Sequence, residues 1–180
     1  MNNPFNPFTY LQFYNPFAVF DPWGFFRPRP VAYGPVDSRF ALPCAELHAQ
    51  GFAHGWSEAE FESLLASAAC LCEGGFEGEN GPLAGFLLSR KASDEAEILT
   101  IAVASRQRRR GIGKELLRRQ MRRLAECGVK RLFLEVAEDN VAALALYRSL
   151  GFREEGRRKG YYRRAEGPAA NALVLARDLS

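Results

Sequence analysis

Apolar positions along this chain follow two periods, and the places where the period changes mark its elements. Within 97–103, Ile98, Leu99, Ile101 and Val103 make a nearly continuous apolar run, as in a strand buried on both faces. From Ile112 the spacing becomes helical, with Leu116, Leu117, Met121 and Leu124 on one face. This predicts an amphipathic helix to Cys127, stopped by Gly128. Residues 130–136 read as a second buried strand. Strand, helix and strand in this order predict a right-handed crossover with the two strands parallel.

The flanking segments add further elements. A short helix is expected at 43–52. Ser57-Glu58-Ala59-Glu60 is a capping box that opens another helix, with Phe61, Leu64 and Leu65 on one face. Strands at 69–73 and 83–89 form a hairpin about a turn at 74–82, rich in Gly and Asn. Asn140 is placed to cap a helix that ends at Leu150, before Gly151. Strands at 152–162 and 172–179 complete the chain. The expected fold is α/β (α+β), with a mixed central sheet and flanking helices.

Residues 1–36 do not share these periods. Asn-Pro-Phe recurs at Asn3, Asn6 and Asn15, and Pro22, Pro28, Pro30 and Pro35 follow. Prolines so placed block helix and central strand. The expectation is a poorly ordered aromatic tail at 1–36 and one domain at 37–180, with 31–36 able to serve as a first strand. A chain of 180 residues suits a single domain. Its net charge of only +3 means that nucleic-acid binding would have to rest on a local patch. No membrane span or signal sequence is evident, so the protein is expected in the cytoplasm. Cys44, Cys70, Cys72 and Cys127 contain no C-x-x-C pair, and His48 and His54 complete no zinc pattern. Buried reduced thiols and no metal are expected.

The candidate chemistry starts at the junction of strand and helix. Arg108-Arg109-Arg110-Gly111-Ile112-Gly113 lies where a helix begins. Glycines let a ligand approach the backbone, free N–H groups suit a phosphate, and arginines add charge. A P-loop would need Gly at 108 and Ser or Thr at 115, but these are Arg108 and Glu115. A dinucleotide fingerprint would need Gly at 116, which is Leu116. Lys114, Arg118, Arg119, Arg122 and Arg123 continue the basic character. That face suits either a polyanion or solvent.

The remaining pattern, R/Q-x-x-G-x-G opening a helix, resembles the cofactor motif of the GNAT superfamily of N-acetyltransferases. The resemblance extends over about 37–180. It includes Ile98-Leu99-Thr100-Ile101-Ala102-Val103, Leu134-Glu135-Val136, and Asn140 through Ala145-Leu146-Tyr147-Arg148-Ser149-Leu150-Gly151-Phe152. His54-Gly55-Trp56-Ser57 and Gly160-Tyr161-Tyr162 fall in the family's order too. Together these segments resemble the bacterial RimI group, which acetylates the N-terminal alanine of the small-subunit ribosomal protein numbered eighteen. The resemblance implies the GNAT fold, with a splayed parallel strand pair, and acetyl-CoA as cosubstrate. It implies that Ile101, Ala102 and Val103 pair through their backbones with the pantetheine arm. Arg108, Arg109, Arg110, Gly111, Ile112, Gly113 and Lys114 would hold the pyrophosphate, and Asn140 would touch the cofactor. Glu135 would be the general base and Tyr147 the general acid. The partner implied is a ribosomal protein N-terminus, met by a monomer that needs neither membrane nor direct nucleic-acid contact.

The chemistry agrees with these roles. Attack of a neutral amine on a thioester needs a proton acceptor and a proton source for the thiolate. An α-amino group with a pKa of about 8 gives up its proton readily near neutrality. Glu135 lies in an otherwise apolar run, where burial should strengthen it as a base. Glu97 is the reserve candidate. A tyrosine near 10 can protonate a thiolate near 8.5. Helical spacing with Leu144 and Leu150 would equally suit Tyr147 as a core aromatic, and capping alone would explain Asn140.

The segments at 54–56 and 160–162 are expected to shape a narrow slot for a small first residue. Two other readings remain at this point: acetylation of a small-molecule amine, and a non-catalytic acyl-CoA- or RNA-binding module.

Overall fold

The computed structural model describes residues 30–52, 54–79, 81–162 and 170–179. The tail expected over 1–36 lies outside them as far as residue 29. The strands are β1 (Val31–Pro35), β2 (Cys70–Glu77), β3 (Leu83–Ala92), β4 (Glu95–Val103), β5 (Arg131–Ala137), β6 (Arg153–Tyr162) and β7 (Ala170–Asp178). The helices are α1 (Ala41–Ala49), α2 (Glu58–Ala66), α3 (Ile112–Glu126) and α4 (Val141–Ser149). One sheet runs in the order β1-β2-β3-β4-β5-β7-β6. β4 and β5 are its parallel neighbours, and the other described pairs are antiparallel.

Each face of the sheet carries its own core. The apolar stripe of α3 puts Ile112, Leu116, Leu117, Met121 and Leu124 with Leu132 and Leu134 of β5 and Leu144 and Tyr147 of α4. Each fully buried leucine there contributes roughly 1.5–3 kcal/mol. On the other face, Cys44 and Leu47 of α1 and Phe61 of α2 pack on Cys72, Phe86 and Leu88. The expected capping box forms: Ser57 Oγ accepts from Glu60 N at 3.3 Å, and Glu60 accepts from Ser57 N at 2.7 Å.

Two expectations need correction. The glycines at 74–75 are not in a turn but inside β2. A Cβ at Gly74 would stand 2.5 Å from Val36 Cγ2, and one at Gly75 would stand 3.1 Å from Tyr33. The glycines make room for neighbouring side chains, and the strand continues through them. Cys127, expected in the interior, is exposed at the end of α3, while Cys44 and Cys72 are buried.

Two of the five basic residues of α3 are structural. Arg119 Nε lies 2.7 Å from the buried Glu73 carboxylate, and Arg123 lies 3.7 Å from it. These pairs tie α3 to β2.

The register between β4 and its neighbours opens the fold. β4 pairs with β5 from Glu95↔Arg131 to Ile98↔Leu134, although both strands continue further. Across β3, Ser89 faces Ile98 but Leu88 faces Thr100, which leaves Leu99 as an extra residue. Such a bulge bends its strand. β5 meanwhile stays paired with β7 as far as Ala137↔Ala172. The strands therefore part just beyond Ile98 and Leu134. The edge of β4 that faces β5 has no strand partner from there to Val103 among the described residues.

Candidate active site

The gap between β4 and β5 is bordered by the loop that links β4 to α3. After Val103, a single 3-10 turn at Ser105–Gln107 leads to Arg108, whose Nε donates to Val103 O at 3.2 Å. Arg109 has φ 65° and Gly111 φ 80°, both left-handed. Arg109 bears a conformation that costs an L-residue roughly 1–2 kcal/mol. Gly111 bears it freely and serves as the N-cap of α3 without a side-chain cap. α2 and α4 begin differently, with Ser57 and Asn140 bonded to backbone N–H groups. Among the described residues no side-chain cap takes up the first-turn N–H groups of α3, a trait it shares with α1.

This loop, the end of β4 and one face of α4 enclose a cleft of about 490 Å³. Ile101 and Val103 form one wall, Ala142, Ala143, Leu146 and Tyr147 another, and Arg108, Arg109 and Gly111 to Lys114 the end. A Cβ at Gly113 would meet Leu146, Ile101 and Val103 at 3.6–3.9 Å, so this glycine sits where α3 comes closest to both walls. The combination of an apolar channel and a cationic, N–H-lined end suits a ligand with an apolar arm and a phosphate group.

The structure brings most of the sequence-predicted set together, but not all of it. Ile101, Val103, Arg108, Arg109, Gly111, Ile112, Gly113, Lys114 and Tyr147 line the cleft. Ala102 belongs to the second core, on the other face of β4. Arg110 turns to Gln107 Oε1. Asn140 accepts from Ala143 N at 3.1 Å and caps α4. Tyr147 is 5% exposed and meets Phe152 edge-on, with centroids 5.8 Å apart. Glu97 lies within the paired segment opposite Phe133 and ion-pairs with Arg90 at 3.5 Å, away from the gap.

Glu135 is the first residue of β5 past the last pair with β4. Leu134 and Val136 face the α3 core, so Glu135 faces the opposite side of the sheet. Tyr147 belongs to the α3 core. The two candidate catalytic groups thus approach the gap from opposite faces. Glu135 is paired within its apolar run. Arg158 Nη1 of β6 lies 3.0 Å from its Oε1.

Arg158 is one of two residues that sequence reasoning passed over. It is distant in the chain, and only strand alternation in β6 could have placed it near Glu135. The other is His48, buried among Phe52, Trp56 and Phe61. Its spacing of four to Phe52 and of four more to Trp56 was the available signal. Trp56 of the expected acceptor slot is half-buried on this cluster, and His54 and Gly55 are exposed. Tyr161 and Tyr162 continue β6, and their side chains lie outside what is described. No three His, Cys, Asp or Glu side chains come together as a metal site among the described residues. No helix there is long and apolar enough to cross a membrane.

Comparison with known proteins settles the family. The model described as the acetyltransferase (GNAT) family matches residues 42–152. The chain belongs to this family. It is 41% identical over 155 residues to the N-alpha-acetyltransferase RimI of Mycobacterium tuberculosis, covering 83% of this chain and 93% of that one. It is 37% identical over 142 residues to the ribosomal protein bS18-alanine N-acetyltransferase of Escherichia coli, covering 77% and 92%. The crystal structure of the Escherichia coli ribosomal-protein alanine N-acetyltransferase superposes with a TM-score of 0.77 at 31% identity, covering 84% of this chain and 95% of that one.

Proposed function

We propose that this GNAT protein transfers an acetyl group from acetyl-CoA to the α-amino group of a protein N-terminus, the acceptor being the N-terminal alanine of ribosomal protein bS18. The observation that carries this reading is the 37% identity to the Escherichia coli bS18-alanine N-acetyltransferase over 92% of that enzyme. The cleft supports it independently, because its chemistry fits acetyl-CoA: free N–H groups at the start of α3 and arginines at one end, an apolar channel along the rest.

Ile101, Ala102 and Val103 hold the pantetheine arm through the unpaired edge of β4. The loop 108–114 holds the pyrophosphate, and Asn140, while capping α4, touches the cofactor through its remaining polar atoms. When bound, acetyl-CoA supplies the acetyl group as a thioester. Glu135, on the far side of the sheet, accepts the proton that the acceptor amine must lose, directly or through a water. Tyr147, on the cofactor side, donates its hydroxyl proton where the thiolate departs. The amine and the thioester thus meet between a base and an acid on opposite faces.

The test is acetylation of a synthetic peptide with a free N-terminal alanine, beside the same peptide blocked at its α-amine but carrying a lysine. Transfer to the free α-amine alone is expected. Transfer only to the lysine would overturn the α-amine reading.

A further inference from the structure

The connection between α1 and α2 closes on a single residue. His48 O accepts from Gly51 N at 3.0 Å and Phe52 N at 3.2 Å. The Nδ1 of the same residue accepts from Trp56 N at 3.1 Å. The residue is 2% exposed. Its ring lies flat on Phe52 with centroids 4.0 Å apart and on Trp56 at 5.0 Å, and it meets Phe61 edge-on at 5.6 Å. Gly55 folds back so tightly that a Cβ there would stand 3.1 Å from Ala49. Three backbone N–H groups and two aromatic rings of one loop therefore take their positions from one side chain and its carbonyl.

Nδ1 accepts a hydrogen bond only when it carries no proton. We infer that His48 is a positioning residue for the acceptor: its unprotonated Nδ1 locks Phe52 and Trp56 as one wall of the acceptor entrance and so sets the affinity for the incoming peptide. The inference rests on the proposed function and on the expectation that the segment 54–56 flanks the acceptor. Burial holds the imidazole below its ordinary value of 6.5 and keeps it neutral. Glu60 on α2, itself fixed by Ser57, is the charged group that acts on the ring, and it favours the imidazolium. Protonation would set two donors, Nδ1–H and Trp56 N–H, against each other in a buried place. The loop must then give way. It meets the cleft through Gly51, where a Cβ would stand 3.9 Å from Arg108 Nη2, whereas Ile101, Val103, Gly111 to Lys114 and the α4 wall of the cleft belong to other elements.

The experiment compares His48→Phe, which keeps a buried ring but removes the acceptor, with His48→Asn, whose carbonyl oxygen restores an acceptor that does not titrate. At pH 7.5 the KM for an alanine-initiated peptide should rise about tenfold in His48→Phe, about 1.4 kcal/mol. The KM for acetyl-CoA should stay within about twofold, and His48→Asn should recover most of the peptide affinity. The α-amine of the peptide titrates identically for every variant. The ratio of the His48→Phe to the wild-type peptide KM therefore isolates His48, and it should fall toward one between pH 7.5 and pH 5. A second readout needs no acceptor. The chain has two tryptophans, Trp23 and Trp56. With Trp23→Phe in place, Trp56 fluorescence should titrate below pH 6.5 when His48 is present and not when it is Phe. A wild-type peptide KM and pH profile in His48→Phe, or a Trp56 titration unchanged by the substitution, overturns the inference. Failure of the wild-type protein to acetylate any peptide overturns the proposed function instead, and the fluorescence titration still decides whether His48 controls the loop.

Discussion

Arg158 Nη1 lies 3.0 Å from Glu135 Oε1, so the candidate base of this acetyltransferase meets a cation held on β6. Glu135 is only 17% exposed on its side chain, and Arg158 is 58% exposed. The carboxylate is thus the more buried partner of the pair. Glu135→Gln should lower kcat by about 10²–10⁴-fold, the usual worth of a positioned base. Arg158→Gln should cost far less, because it removes a neighbour of the carboxylate and not the proton acceptor itself. Rate–pH profiles of both variants check the assignment. Unchanged turnover in Glu135→Gln at every pH would remove Glu135 from the reaction.

Tyr147 separates packing from chemistry. Its ring belongs to the α3 core and meets Phe152. Tyr147→Phe keeps the ring, so the melting temperature should change by only a few degrees. Its kcat should fall about 10²-fold or more if the hydroxyl supplies the proton for the thiolate. Parallel thermal melts and steady-state kinetics distinguish this from a tyrosine that only packs.

The two glycines of the loop should respond in opposite ways. Gly111 has φ 80°, and a Cβ there would meet nothing within 4 Å. Gly111→Ala should therefore destabilise through backbone strain alone, by roughly 1–2 kcal/mol. Gly113 is inside α3 with ordinary contacts of 3.6–3.9 Å. Gly113→Ala should retain stability or gain up to about 1 kcal/mol from helix propensity. Its methyl group nevertheless enters the cleft, so the KM for acetyl-CoA should rise. Urea unfolding and acetyl-CoA titration together read both effects.

Much of this architecture was legible from the order of the residues. The change from a continuous apolar run to helical spacing at Ile112 marked the crossover, and the capping box at Ser57 marked α2. The loop 108–113 was legible from its glycines and its place between strand and helix, whereas the left-handed backbone of Arg109 was not. The less legible features depend on register or on distant contacts. The parting of β4 from β5 comes from one extra residue, Leu99, visible only once Leu88 and Ser89 are paired across the bulge. Gly74 and Gly75 read as turn residues because their role is to make room for Val36 and Tyr33, which lie far off in the chain. The pairing of Arg158 with Glu135 joins β6 to β5 across β7, an arrangement no local pattern encodes.

His48 also ties stability to pH. Its imidazole titrates below 6.5 in the folded chain, so the unfolded chain takes up the proton first as the pH falls. The stability it contributes is whole above pH 6.5 and is lost progressively below it. Urea midpoints from pH 8 to pH 5 should fall in the wild-type protein and fall less in His48→Phe.

The identity of the acceptor is the most direct test of the function. Purified protein should be given acetyl-CoA with an alanine-initiated bS18 N-terminal peptide and, separately, with a polyamine, and the products read by intact mass and kcat/KM. The prediction is a single acetyl group on the peptide's α-amine, with kcat/KM at least about 10²-fold above that for the polyamine. Acetylation of the polyamine with the peptide left unmodified would contradict it.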